Sequence, residues 1–169
     1  MKYLYLLLLT VFLLPGCSKK NDKQYMKEAE DSVRANKYQG AVLLYEKVTA
    51  DFAESESAPE ALFQLGFLYQ NRLLKNVSET QGLEKSVTYY KQIAEKYPKY
   101  GKAPDALFSA GFILANDLKK YEDATAAYNK LVKDYPNSNW APQAKEELDN
   151  MGLTPEQILD KKIKSKKNM

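Results

Sequence analysis

The dipeptide Ala-Pro recurs at Ala58-Pro59, Ala103-Pro104 and Ala141-Pro142, with spacings of 45 and 38 residues. Three further sets of positions keep the same spacings: Phe52, Tyr97 and Tyr135; Tyr45, Tyr90 and Tyr128; and Ala41, Ser86 and Ala124. A repeat of this length is one supersecondary unit that cannot bury its apolar face alone, so the chain must stack units in a row. At 169 residues there is room for about three such units and little else.

Within each unit the pattern is two helices. Ala61 to Tyr69 and Ala106 to Leu114 carry apolar residues at i, i+3, i+4 and i+7 without an interrupting proline. Both runs have a proline just ahead, in what becomes the first turn, where a missing N–H costs nothing. The second helices are predicted at about Gly40 to Asp51, Leu83 to Lys96 and Glu122 to Asp134. The last two stop before Tyr97-Pro98 and Tyr135-Pro136, because proline biases the preceding residue away from helical angles. Ser57 with Glu60, and Thr154 with Gln157 ahead of a short last helix, have the spacing of capping boxes. The middle unit has 7 extra residues, within Leu74 to Gly82. Ser78-Glu79-Thr80-Gln81 could cap there, which favours longer helices over slack loop.

These positions resemble the tetratricopeptide repeat. The second-helix signature of that family is met by Ser86, Tyr90, Ile93 and Pro98, and again by Ala124, Tyr128, Leu131 and Pro136. Its first-helix signature is met by Leu65, Gly66 and Tyr69, and loosely by Ala110, Gly111 and Leu114. An earlier unit, about Tyr25 to Ala53, keeps Ala29, Ala41, Tyr45 and Val48 but lacks the closing proline. The resemblance implies an all-α, tetratricopeptide-type helical hairpin solenoid of about three repeats plus C-terminal capping helices, spanning residues 25–160. The Ala-Pro openings and Tyr-Pro closings resemble the envelope subgroup of the family. That subgroup includes the BamD-like lipoprotein of the β-barrel assembly machinery and the repeat domain of the Tol-Pal-associated division coordinator.

The N-terminus reads as an address. Met1-Lys2 and the apolar run Tyr3 to Leu14 have the length of a signal-peptide core, well short of the roughly 20 residues a membrane-spanning helix needs. The run ends in Leu14-Pro15-Gly16-Cys17, which resembles a lipobox; the alternative is an ordinary secretory signal with a chance cysteine. On the lipobox reading, residues 1–16 are removed, Cys17 carries a covalent lipid, and residues 17–24 form a flexible tether. Ser18, where an aspartate would argue for inner-membrane retention, then implies the periplasmic side of the outer membrane.

Composition excludes more than it proposes. The chain has no histidine and one cysteine, which removes the commonest general base, imidazole metal ligands, thiolate clusters and intrachain disulfides. No metal site and no cofactor other than the Cys17 lipid is expected. The carboxylate pairs Glu122-Asp123 and Glu146-Glu147 read as solvated helix faces rather than catalytic dyads, so no enzyme and no small-molecule substrate is expected. A net charge of +3 gives no reason to expect nucleic acid.

The candidate site is therefore a surface. Phe63, Phe67, Phe108 and Phe112 recur at i, i+4 in two units and hold four of the six phenylalanines. Such a stripe is either core packing or the floor of a concave groove, as the family's first helices imply. In the second case the groove would take a peptide segment of an envelope protein, with Glu60, Gln70 and Asp105 supplying polar contacts. Trp140 is expected over the end of the stack. Residues 161–169, rich in lysine, read as a disordered tail or as a weak contact with anionic lipid or an acidic partner.

Overall fold

The computed structural model describes residues 20–167, with side chains described through Lys164. Eight α-helices follow one another among these residues, with no strand. They are α1 (Asp22–Arg34), α2 (Tyr38–Asp51), α3 (Ala58–Gln70), α4 (Glu79–Lys96), α5 (Ala103–Phe112), α6 (Tyr121–Asp134), α7 (Ala141–Asn150) and α8 (Pro155–Lys167). A π-helical turn, Ile113–Asp117, continues α5. From α1 to α7 each helix packs on the next, which is the nearest-neighbour arrangement of a stacked-hairpin solenoid. Three hairpins, α1–α2, α3–α4 and α5–α6, make the repeats. The signal segment and Cys17 lie outside the described residues.

Small residues set the helix crossings. Tyr45, Tyr90 and Tyr128, at the repeated position of each second helix, are all at most 2% exposed. The rings of Tyr90 and Tyr128 lie over Gly66 and Gly111, where a Cβ would come within 2.5 and 2.6 Å of a ring carbon. Ser86, fully buried, donates to the Gly66 carbonyl at 2.8 Å. Two apolar clusters result. One unites α1, α2 and a face of α3 through Met26, Tyr45, Leu65 and Leu68; the other runs from Leu62 through α4, α5 and α6 to Ala144 of α7. Helix α3 therefore faces both.

Turn chemistry repeats as well. After the first helix of each hairpin one residue takes the left-handed conformation: Asn36 (φ 57°), Arg72 (φ 56°) and Lys119 (φ 56°). The Lys37 N–H then reaches the Ser32 carbonyl, and the Leu73 N–H that of Leu68, satisfying helix-end acceptors in the manner of a Schellman motif. Between hairpins, the Tyr97 hydroxyl donates to the Ala53 carbonyl at 2.7 Å and the Tyr135 hydroxyl to that of Pro98 at 3.0 Å. Each loop is thus tied to the one before. Phe52 holds the same place in the first loop, has no hydroxyl, and packs instead against Tyr25.

Four expectations are corrected. Asp22 to Gln24, assigned to the tether, already belong to α1, because Asn21 and Gln24 form a capping box. Ser57 makes no cap; its hydroxyl donates to the Asp22 carboxylate at 2.7 Å, fastening α1 to the start of α3. The second helix expected from Leu83 starts four residues earlier, at Glu79: Ser78 accepts from the Gln81 N–H at 3.4 Å, the cap the sequence offered, and α4 runs 18 residues against 14 in α2 and α6. Residues 161–167 are helical rather than disordered. The capping box of Thr154 and Gln157 starts α8. Lys161 donates to the Asp149 carbonyl at 2.7 Å, and Lys162 lies 2.9 Å from Glu146.

Candidate functional site

The four phenylalanines divide into two pairs. Phe63 is half-buried, its ring 5.6 Å from that of Tyr90, with the Lys102 ammonium 5.0 Å above it. Phe108 lies 5.6 Å from Tyr128, and Trp140 stacks on it at 4.3 Å. Lys102 and Trp140 both stand immediately before an Ala-Pro pair, so the loop that ends each repeat places a lid on the phenylalanine of that repeat. Phe63 and Phe108 are therefore half-buried, packed against the core beneath Lys102 and Trp140. Trp140 accordingly covers Phe108, where the sequence predicted it over the end of the stack.

Phe67 and Phe112 remain. They are 44% and 42% exposed, one helical turn beyond Phe63 and Phe108 on consecutive first helices. Each directly follows a crossing glycine, and so projects about 100° from the packed face. Side-chain amides of Asn71 and Asn116 hydrogen-bond the Phe67 and Phe112 carbonyls at 2.9 and 3.2 Å, holding the helix ends below both rings. Two exposed aromatic rings at the same place on consecutive first helices can anchor an apolar segment of a partner.

The polar groups assigned to that surface behave differently. Glu60 accepts from Tyr100, from Gln64 at 2.7 Å and from Lys102 at 2.8 Å. Burial pushes its carboxyl up, but the Lys102, Tyr100 and Gln64 donors together hold it below its usual range. Gln70 accepts the Tyr90 hydroxyl at 2.9 Å. Both side chains brace the fold and offer a partner little. Asp105, half-buried, makes no hydrogen bond or ion pair among the described residues. Sequence reasoning missed Lys102, Tyr100 and their network, because their partners lie about a repeat away in the chain.

A row of hairpins with an exposed aromatic pair on its first helices defines a helical-repeat interaction scaffold. Residues 60–100 and 105–138 match the family profile described as Tetratricopeptide repeat. The matched segments are essentially α3–α4 and α5–α6; α1–α2 is built alike but lacks the closing proline. No curated protein sequence matches the chain.

Proposed function

We propose that the protein is a lipid-anchored scaffold on the periplasmic side of the outer membrane, which binds an apolar segment of an envelope protein across Phe67 and Phe112. The observation that carries the binding half is the exposure of those two rings on consecutive first helices, while the preceding ridge residues, Phe63 and Phe108, are half-buried beneath Lys102 and Trp140. The address rests on Leu14-Pro15-Gly16-Cys17 and Ser18. The likeness of the Ala-Pro and Tyr-Pro punctuation to the envelope subgroup makes β-barrel assembly the leading version of this role, with Tol-Pal or cell-wall coordination the competing one.

Two experiments test it. Cys17→Ala should abolish lipidation and release the protein from membranes after a high-salt wash; an unchanged membrane-bound pool would overturn the anchor. Pull-down with the lipidated chain, followed by mass spectrometry, should recover barrel-assembly components. Recovery of cell-wall synthases or Tol-Pal proteins instead would replace that assignment with the coordinator role.

A further inference from the structure

A second groove lies away from the exposed phenylalanines, between the α2–α3 loop and the α4–α5 loop. It has a volume of about 910 Å³; Ala53, Glu54 and Glu56 line it from the first loop, and Lys96, the last residue of α4, with Tyr97 and Lys99 from the second side. One lining residue departs from the repeat. Where the later loops carry Pro98 and Pro136, the first carries Ala53. The backbone ahead of that position is nearly the same in all three, with φ and ψ of −131° and 39° at Phe52, −130° and 56° at Tyr97, and −132° and 54° at Tyr135. At this position the first loop lacks the pyrrolidine ring that the later loops carry.

The walls have a definite chemistry. The Tyr97 hydroxyl is committed to the Ala53 carbonyl and the Tyr100 hydroxyl to Glu60, so both phenols are fixed through their oxygens and their rings stand as walls beside Pro59 and Pro98. Glu54 and Glu56 are exposed, as are Lys96 and Lys99, and none of the four side chains makes a hydrogen bond or ion pair among the described residues. Acids from one side and bases from the other thus flank an aromatic and proline floor. A segment of one charge sign would be attracted by one wall and repelled by the other.

We infer that this loop-edge groove binds an extended, proline-containing peptide segment of mixed charge, with a basic residue beside Glu54 and Glu56 and an acidic one beside Lys96 and Lys99. A polyproline II segment suits such walls. It has little conformational freedom to lose, and its pyrrolidine rings pack on tyrosine faces. The inference does not depend on the role of Phe67 and Phe112.

The test uses the full chain in detergent and three fluorescently labelled peptides of about ten residues, followed by anisotropy. The first alternates proline with two lysines near one end and two glutamates near the other. In the second, glycine and serine replace the prolines; in the third, glutamine replaces the charges. The first should bind saturably, and the other two about tenfold more weakly. Ala53→Pro should abolish binding of the first without lowering the melting temperature, since Phe52 ahead of it already has nearly the conformation of the residues before Pro98 and Pro136. The pair Glu54→Lys and Glu56→Lys, at exposed positions, should also weaken it about tenfold, independently of any effect of proline on folding. Phe67→Ala with Phe112→Ala should leave it unchanged. Equal binding of all three peptides, no saturable binding of the first, or indifference to the charge reversal would overturn the inference. So would loss of binding in the double phenylalanine variant, which would put the peptide on the first-helix face.

Discussion

Tyr90 lies across Gly66 so closely that a methyl group there would sit 2.5 Å from ring carbon Cε1, and Tyr128 lies across Gly111 in the same way at 2.6 Å. The hairpin crossing thus depends on an absent side chain in two successive repeats. Gly66→Ala and Gly111→Ala should each destabilise the fold by about 1–3 kcal/mol through overpacking, although alanine favours helix by about 1 kcal/mol. Gly40, in α2, has nothing within 4 Å of the corresponding position, so Gly40→Ala should stabilise by about 0.5–1 kcal/mol. Urea unfolding of the three variants checks this, and a neutral Gly66→Ala would contradict the close crossing.

The two ring tyrosines differ in one respect that mutation can read. The Tyr90 hydroxyl donates to Gln70, whereas the buried Tyr128 hydroxyl has no partner, because the residue 45 positions after Gln70 is Ala115 in the π-helical turn. Burial raises the Tyr90 phenol to about 12 and Tyr128 further still. Tyr90→Phe should cost about 1 kcal/mol, and Tyr128→Phe should be neutral or stabilising, since it removes a buried, unsatisfied group. Equal losses in urea unfolding would contradict the assignment.

The Glu60 network predicts an acid-sensitive step. Its carboxyl is held below the ordinary value of 4.5, so the network stabilises the fold above about pH 4.5 and this contribution is lost as pH falls through the folded-state value. Wild-type melting temperature should therefore drop between neutral pH and about pH 3 by more than that of Glu60→Gln, which cannot titrate there. Identical drops in the two proteins would remove Glu60 from the account.

How much of this was legible in the sequence depends on the reach of each interaction. Ala-Pro, Tyr-Pro and the spaced tyrosines are local marks of a repeated unit, and they placed three hairpins correctly. The left-handed Asn36, Arg72 and Lys119 left no such mark, since glycine is the usual residue there. Ser57 had the pattern of a cap, yet Asp22, 35 residues earlier, takes its hydroxyl. The apolar spacing of α5 continues smoothly through Ile113 and Leu114, and nothing in it announces a π turn. Phe63 and Phe67 sit on one ridge, and the sequence marks Phe67 as turned from the packed face because it directly follows Gly66; the cover over Phe63 was not legible, since Lys102 is supplied by the loop that closes the repeat. Glu60 and Gln70 looked available for the same reason, since Tyr100 and Tyr90 are close only in the fold.

Exposure of Phe67 and Phe112 should show first as tolerance. Leu65→Ala removes a fully buried side chain and should cost about 2–5 kcal/mol. Phe67→Ala and Phe112→Ala should each stay within about 1 kcal/mol of wild type in thermal or urea melts. Melting as early as Leu65→Ala would assign the two rings to the core.

The central claim is that these two rings bind the partner. Its most direct test is quantitative capture of envelope proteins by the lipidated chain, comparing wild type with the Phe67→Ala, Phe112→Ala double variant at equal folded amounts. Wild type should enrich a defined partner, and the double variant should lose about 2 kcal/mol or more of that interaction, a fall of roughly thirtyfold in apparent affinity. Undiminished capture by a folded double variant would show that the partner binds elsewhere.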